Sequence, residues 1–334
     1  MNCVVLDGYA LNPGDNPWTP IEEVTGPLTV YDRTPPELRL ERSQCAEILI
    51  LNKTRMDAEL LAQLPKLRCI ALVSTGYDVV DIRAAGERGI PVMNVVNYGT
   101  NAVAQHTIAL LLALSHHVEL HTAAIRKGRW NECRDFCFWE TPQVELTNKN
   151  MGIIGLGTIG RRVGELAHAF GMNVLAASAR KSGKELALSL QTRPTPYPVE
   201  CLDLPELLAR ADVVSLHCPL ADQTRGMVNA DFLACMKRGA ILLNLARGPL
   251  LNEKDVAAAL HAGHLGGLGA DVLSVEPARK DNPLLGTPNT ILTPHIAWAT
   301  LSARQNITRI TAENIAAWLQ GKPQNVVNSQ YLKK

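Results

Sequence analysis

Residues 151–160, which read MGIIGLGTIG, decide the fold. The apolar start of this stretch is typical of a buried strand, and its last three glycines, at 155, 157 and 160, match the pattern G-x-G-x-x-G. Apolar residues then recur at helical spacing from Val163 to Phe170, and Gly171 ends that helix. A strand, a glycine turn and a helix in this order favour a dinucleotide-binding unit, although a purely structural strand–helix turn has the same pattern.

The glycine turn predicts which residues meet a dinucleotide. Glycine permits a tight turn and close backbone approach, and the N-terminus of the following helix then faces the pyrophosphate. We therefore expect the phosphates to lie against Gly155, Gly157 and Gly160.

The end of the next strand indicates which nicotinamide cofactor binds. An NAD site usually has an acidic residue about 20 residues after the glycines, where it binds the ribose hydroxyls. This chain has Ser178, Arg180 and Lys181 there and no Asp or Glu. A hydroxyl and two cations suit a 2′-phosphate, so the sequence favours NADP over NAD; the alternative is that the two cations only lie in a solvated loop.

Short apolar runs alternate with helical patterns along most of the chain, which predicts an α/β protein with two doubly wound parallel sheets. Five strands are expected in the first hundred residues and six more between 151 and 293. A last helix, over 300–320, is expected to return to the first domain. The predicted domains are therefore 1–100 with 299–334, and 101–298, with a cleft between them because the chain crosses twice.

An unusually apolar helix is predicted from Asn101 onward. Such a helix is expected to be buried between domains or against another subunit, which makes a homodimer a hypothesis.

Composition excludes several classes of partner. The chain has 33 Lys and Arg against 32 Asp and Glu, so it has no field to gather nucleic acid. No apolar run approaches the ~20 residues of a membrane span, and no signal peptide is expected at the start. The eight cysteines lack zinc spacing, so we expect no metal site and reduced thiols in a cytoplasmic protein.

Three ionisable residues follow predicted strands of the second sheet: Arg247, Glu276 and His295. Ligands of open α/β sheets bind at the carboxyl ends of strands. Reduction of a keto acid needs a cation for the carboxylate, a proton donor for the carbonyl oxygen and a carboxylate that orients this donor. Each residue alone has an ordinary reading as a surface or loop side chain, and it is their joint placement behind a dinucleotide motif that favours catalysis.

With these residues in place, the sequence resembles the D-isomer-specific 2-hydroxyacid dehydrogenases over nearly its whole length. The stretches that carry the resemblance are VSTGYD (73–78), VAQH (103–106), GIIGLGTIG (152–160), HCPL (217–220), NLARG (244–248), GADV (269–272) with Glu276-Pro277, and TPH (293–295).

The resemblance implies a flavodoxin-like substrate domain, a Rossmann domain and a usual homodimer. It implies that Arg247 binds substrate, that Glu276 pairs with the acid/base His295, and that the backbone of Ser74, Thr75 and Gly76 holds the substrate carboxylate. Trp298 either covers a small substrate or packs at the hinge. The implied cofactor contacts are Thr107, Thr158, Ile159, His217, Cys218, Pro219, Thr224, Leu245, Ala246, Arg247, Asp271 and His295.

Within the family, LDGY (6–9), NKT (52–54) and HIAW (295–298) are most similar to the glycerate dehydrogenase or hydroxypyruvate reductase branch. That similarity implies reduction of hydroxypyruvate or glyoxylate. A reductase for a bulkier keto acid and a dinucleotide-sensing scaffold like the corepressors of this fold remain alternatives. Turnover of small 2-keto acids would separate the enzyme from the scaffold.

Overall fold

The computed structural model describes residues 1–332 and divides the chain into two units. The first unit is Met1–Gly99 with the chain from Trp298 onward, and the second is Thr100–Ala297. Thr100 and Trp298 thus lie one residue across the predicted boundaries, Thr100 in the second unit and Trp298 in the first.

Five parallel strands form the sheet of the first unit, in the order β2-β1-β3-β4-β5 that flavodoxin-like folds have. Every residue of β3 and β4 is buried, because helices cover both faces of a parallel sheet. The strands are β1 (Cys3–Val5), β2 (Leu28–Val30), β3 (Ile48–Leu51), β4 (Cys69–Leu72) and β5 (Val92–Met93), and the helices before residue 99 are α1 (Thr19–Thr25), α2 (Arg39–Ser43), α3 (Ala58–Ala62) and α4 (Ile82–Glu87).

Seven parallel strands form the sheet of the second unit, in the order β12-β11-β10-β9-β6-β7-β8. The order reverses between β6 and β9, and such a reversal opens a crevice for a ligand at the carboxyl ends of the strands. The strands are β6 (Asn150–Ile154), β7 (Asn173–Ala177), β8 (Glu200–Cys201), β9 (Val213–Leu216), β10 (Ala240–Asn244), β11 (Leu265–Ala270) and β12 (Thr290–Leu292). Six of these were expected, and the two-residue β8 was not.

The helices of the second unit cover both faces of this sheet. They are α5 (Thr100–His116), α6 (Val118–Arg126), α7 (Thr158–Ala169), α8 (Gly183–Thr192), α9 (Leu204–Arg210), α10 (Ala230–Cys235) and α11 (Glu253–His261).

The apolar helix α5 packs within its own unit, which accounts for its buried apolar residues, and its contact with another subunit stays a prediction. It packs on α7 and on β10, β11 and β12. Gly267 and Gly269 of β11 allow the close approach, because a Cβ on either would come within 3.1 Å of Leu114 or Leu110. No single helix among residues 1–332 is long and apolar enough to cross a membrane, although α5 and α6, bent by 53°, together pass that test on length and composition.

The last long helix, α12 (Leu301–Leu319), belongs to the first unit and packs on α1. Its buried Arg304 makes two hydrogen bonds to the carboxylate of Asp15, 2.5 and 2.7 Å long. The same guanidinium donates to the carbonyl oxygens of Leu11 and Ala299. This planar fork fastens the N-terminal loop to the C-terminal helix, and the Arg304 hydrogen bonds hold the pKa of Asp15 below its usual value.

Candidate active site

The glycine turn between β6 and α7 has the shape that close backbone approach requires. Gly155 has a φ of +97° and lies against the β9 loop, where an added Cβ would be 2.6 Å from the Cys218 nitrogen. A Cβ on Gly160 would overlap the Gly155 carbonyl oxygen, so this glycine lets the helix pack on the strand. Around Gly157, in contrast, nothing lies within 4 Å of a Cβ position. The turn is therefore open at Gly157, next to Thr158 and Ile159, which begin α7. This open N-terminus of a helix fits a dinucleotide phosphate.

A short turn follows β7 and carries the residues predicted to distinguish the two cofactors. The Ser178 hydroxyl accepts from the Arg180 backbone nitrogen at 3.3 Å, and Ser178 pairs with Lys181 across the turn. Arg180 and Lys181 are exposed. The turn thus presents two cations and a hydroxyl.

The loop after β9 crosses the reversal point of the sheet. His217 lies 2.8 Å from the Ser215 hydroxyl, and burial lowers the pKa of His217 to about 4. The buried Thr224 hydroxyl accepts from the Ala221 nitrogen and donates to the Pro219 carbonyl oxygen, so it shapes the loop. Burial also raises the pKa of the Cys218 thiol, which is therefore an unreactive packing group.

Thr107, which is also a predicted cofactor residue, lies in α5. Its side chain is fully buried in α5, and its hydroxyl donates to the Val103 carbonyl oxygen. Its contact with a cofactor stays a prediction that rests on the resemblance.

Arg247 follows β10, in a loop that buried polar groups hold in place. The buried Asn244 side chain donates to the Arg247 carbonyl oxygen and accepts from the Ala246 nitrogen, while Leu245 is buried beside them. The Arg247 guanidinium is exposed and donates to the Ala246 carbonyl oxygen. An exposed guanidinium at the carboxyl edge of the sheet suits the binding of a small carboxylate.

Glu276 and His295 come together after the neighbouring strands β11 and β12. The His295 Nδ1 lies 2.6 Å from Glu276 Oε2, and the Leu273 nitrogen donates to Glu276 Oε1. Because an ionised carboxylate only accepts, the Nδ1 carries a proton and the ring presents its Nε2 for chemistry. Both side chains are about one-third exposed, so a substrate can reach the ring.

Asp271 follows β11, and its carbonyl oxygen accepts from the backbone nitrogen of His295. Its side chain is 1% exposed and accepts from the Thr293 hydroxyl and from the backbone nitrogens of Ile296 and Ala297. Two carboxylate oxygens offer about four acceptor positions, so these donors use three of them; the contact of Asp271 with a nicotinamide amide stays a prediction that rests on the resemblance.

The predicted carboxylate cradle, Ser74–Gly76, lies in the first unit after β4. The Ser74 and Thr75 hydroxyls donate to the carbonyl oxygens of Gly76 and Val95. Among the described residues, the three backbone amides of this turn donate to no protein group. They are thus available to an anion. Trp298 packs partly buried against the core of the same unit.

Sequence reasoning missed Gly248, Thr293 and His106 as contributors to this site. A Cβ on Gly248 would overlap the backbone of Leu273 and Ser274, so this glycine lets the Arg247 loop pack on the Glu276 loop. His106 of α5 lies 2.9 Å from the Thr293 hydroxyl. Gly248 and His106 both stand in stretches that carry the resemblance, but their partners are distant in sequence and no local pattern indicates them.

Comparison with known proteins decides the family. The model of the D-isomer specific 2-hydroxyacid dehydrogenase NAD binding domain matches residues 108–297. The chain belongs to the D-isomer-specific 2-hydroxyacid dehydrogenase family. The match includes Arg247, Glu276 and His295, and it places a family NAD binding domain within the second unit.

Relatives of this dehydrogenase match it over most of their length. A hydroxypyruvate reductase of Blautia hydrogenotrophica is 45% identical over 98% of this chain and 100% of its own. A glycerate dehydrogenase of Methylorubrum extorquens is 40% identical over 88% of this chain and 89% of its own. The crystal structure of the TT0316 protein from Thermus thermophilus is 37% identical, covers 98% of this chain and 100% of its own, and superposes with a TM-score of 0.81.

Proposed function

We propose that this dehydrogenase reduces the keto group of a small 2-keto acid, hydroxypyruvate or glyoxylate, to the corresponding 2-hydroxy acid. The names of the relatives above support the substrate class. The observation that carries the chemistry is the 2.6 Å contact between Glu276 and His295 at the carboxyl edge of the second sheet.

His295 is the proton donor of the proposed reaction. Its Nε2 gives a proton to the carbonyl oxygen of the substrate and becomes the neutral nitrogen of the ring, while Nδ1 keeps its proton and its hydrogen bond to Glu276. The carboxylate of Glu276 stabilises the charged ring before the transfer and fixes its orientation throughout. The bound nicotinamide supplies the hydride that reduces the carbonyl carbon.

Binding of the substrate carboxylate is assigned to Arg247, whose planar fork matches a carboxylate with two parallel hydrogen bonds. The resemblance assigns the backbone amides of Ser74, Thr75 and Gly76 to a substrate carboxylate, and among the described residues they donate to no protein group. Trp298 is assigned to cover a small substrate.

We propose NADPH as the preferred cofactor. The turn after β7 offers Ser178, Arg180 and Lys181 and contains no acidic residue that would repel a 2′-phosphate. The glycine turn and the loops at 217–224 and 245–247 are assigned to the rest of the dinucleotide. An Arg180→Ser and Lys181→Ser double variant should lose NADPH affinity and keep NADH affinity. Lys184→Ser, in the first turn of α8, is the matched control; an NADH preference in the unaltered enzyme would refute the assignment.

We further propose a homodimer in the cytoplasm. The segment from α6 to Trp139 exposes large apolar side chains that the second unit does not cover, including Val118, Trp130, Phe136 and Trp139. A second copy of the chain is the occupant that the resemblance predicts. Light scattering should give twice the chain mass at micromolar concentration; a concentration-independent monomer would contradict this proposal.

The test of the whole proposal is a substrate panel with both cofactors. Hydroxypyruvate, glyoxylate, pyruvate and a branched 2-keto acid are offered with NADPH and with NADH, and cofactor oxidation is followed by absorbance. We expect the highest kcat/KM for hydroxypyruvate or glyoxylate. A branched substrate as the best one would favour a reductase for bulkier acids, and the absence of turnover with every acid would favour a dinucleotide-sensing scaffold.

A further inference from the structure

We propose that His106 and Thr293 are positioning residues for the acid His295, acting through the buried carboxylate of Asp271. This inference rests on the proposed function, because it concerns the placement of its proton donor. None of the three residues touches the ring of His295 through a hydrogen bond; they act on the backbone that carries it.

The backbone around His295 is wrapped on Asp271. The His295 nitrogen donates to the Asp271 carbonyl oxygen at 2.8 Å and also to the Thr293 carbonyl oxygen at 3.0 Å. The next two nitrogens, of Ile296 and Ala297, donate to the Asp271 carboxylate at 2.9 and 2.8 Å. Asp271 therefore accepts from three consecutive backbone amides, the last two through its carboxylate, so the backbone that leaves His295 depends on where this carboxylate lies.

His295 also needs this support, because its φ is +56°. A residue with a Cβ seldom occupies the left-handed region, and it stays there when its surroundings hold it. If the support loosens, the backbone can relax to a more common conformation and the ring moves away from Glu276.

A two-step chain of hydrogen bonds ties Asp271 to α5. The Thr293 hydroxyl donates to Asp271 Oδ1 at 2.5 Å, since an ionised carboxylate accepts only. The single proton of the Thr293 hydroxyl is engaged there, so this hydroxyl accepts from His106 Nε2, which lies 2.9 Å away. His106 therefore carries a proton on Nε2, and its Nε2 is also 3.8 Å from Asp271 Oδ1.

The location of His106 on a buried helix explains how this chain of hydrogen bonds can position a loop. His106 belongs to the 17-residue helix α5, whose apolar face packs into the core of the second unit. The loop after β12 is thereby anchored by hydrogen bonds to a buried helix and does not depend only on the short strand β12, which has three residues. Through this network, helix α5 helps to hold His295 in position.

The experiment removes the hydroxyl or the imidazole and measures kcat, KM and cofactor affinity separately. Thr293→Val keeps the shape and removes the hydroxyl, and we expect kcat with the best 2-keto acid to fall about tenfold. Thr293→Ser retains the hydroxyl and should stay within about twofold of wild type. The Kd for NADPH, from its fluorescence, should change by less than about threefold, because an acceptor position remains on Asp271.

Two controls separate positioning from general stability. Thr290→Val removes a hydroxyl from β12 whose partners are Thr287 and Pro288, away from Asp271, and should leave kcat unchanged. His106→Leu should lower kcat as Thr293→Val does, whereas His116→Leu at the end of the same helix should not. In the double variant of His106 and Thr293 the loss should be no larger than in either single variant, since both break one chain.

Each outcome decides the proposal. Wild-type kcat in both Thr293→Val and His106→Leu, with an active wild-type enzyme, overturns the positioning network alone. A fall in thermal midpoint with unchanged kcat in those variants also overturns it, because it shows a structural role only. A wild-type enzyme that reduces no 2-keto acid overturns the proposed function and the network with it. If Thr293→Val does not fold, the decision rests on His106→Leu and Thr293→Ser.

Discussion

The packing of two active-site loops on each other gives a sharp prediction for Gly248→Ala. The glycine lies between the Arg247 loop and the backbone at Leu273 and Ser274. An added Cβ would lie more than 1 Å inside the 3.0 Å closest approach that Cβ atoms show. Its neighbours are backbone atoms, which cannot swing away as a side chain would. The Arg247 loop must therefore separate from the Glu276 loop by about 1 Å.

A displacement of that size at an active site costs on the order of a hundredfold in rate. We expect kcat/KM for the best 2-keto acid to fall about a hundredfold in Gly248→Ala, with most of the loss in KM, because Arg247 is the group that moves. The assay is cofactor oxidation at varied substrate concentration.

The control for this variant is Gly286→Ala. Gly286 has a negative φ and nothing within 4 Å of its Cβ position, so this variant should behave as wild type. Circular dichroism should show both variants folded. A Gly248→Ala enzyme with wild-type kcat/KM would refute the claim that the two loops are held in contact for catalysis.

Three further predictions concern single side chains. Glu276→Gln should lower kcat about tenfold at neutral pH and move the optimum to lower pH, because a neutral amide stabilises the charged His295 ring less; an unchanged pH profile would contradict this. Arg247→Lys should raise KM about tenfold or more with a smaller effect on kcat, since an ammonium cannot replace the planar fork, and equal KM values would refute it. Burial lowers the folded-state pKa of His217 from 6.5 to about 4, so the unfolded chain binds this proton more tightly. The free energy of unfolding therefore decreases as the pH is lowered from 6.5 to about 4. Urea unfolding should show up to about 3 kcal/mol more loss over that window in wild type than in His217→Gln, and identical losses would contradict it.

Most of the fold could be predicted from the sequence, because each buried parallel strand reads as an apolar run between helical patterns. The strand β8 could not, since Glu200-Cys201 has no apolar run and forms through its pairing with β7. Hydropathy predicted that α5 is buried, but it could not indicate that α7 and the sheet of its own unit cover its apolar face. Gly267 and Gly269 of β11 allow α5 to pack closely on the sheet of its own unit. These contacts are visible only in the structure.

The candidate site divides in the same way. Arg247, Glu276 and His295 could be predicted because each follows a strand of the second sheet, and the structure brings Glu276 and His295 into contact. Their roles in catalysis stay predictions. Gly248 and His106 could not be assigned, because each acts through a residue far along the chain. A pattern within one segment carries no information about such partners.

The central claim, that His295 is the proton donor, is tested most directly by single-turnover oxidation of bound NADPH in His295→Ala. With saturating hydroxypyruvate or glyoxylate, the account predicts a rate at least about a hundredfold below wild type, and a Kd for NADPH that stays close to wild type. A single-turnover rate near that of wild type would contradict it.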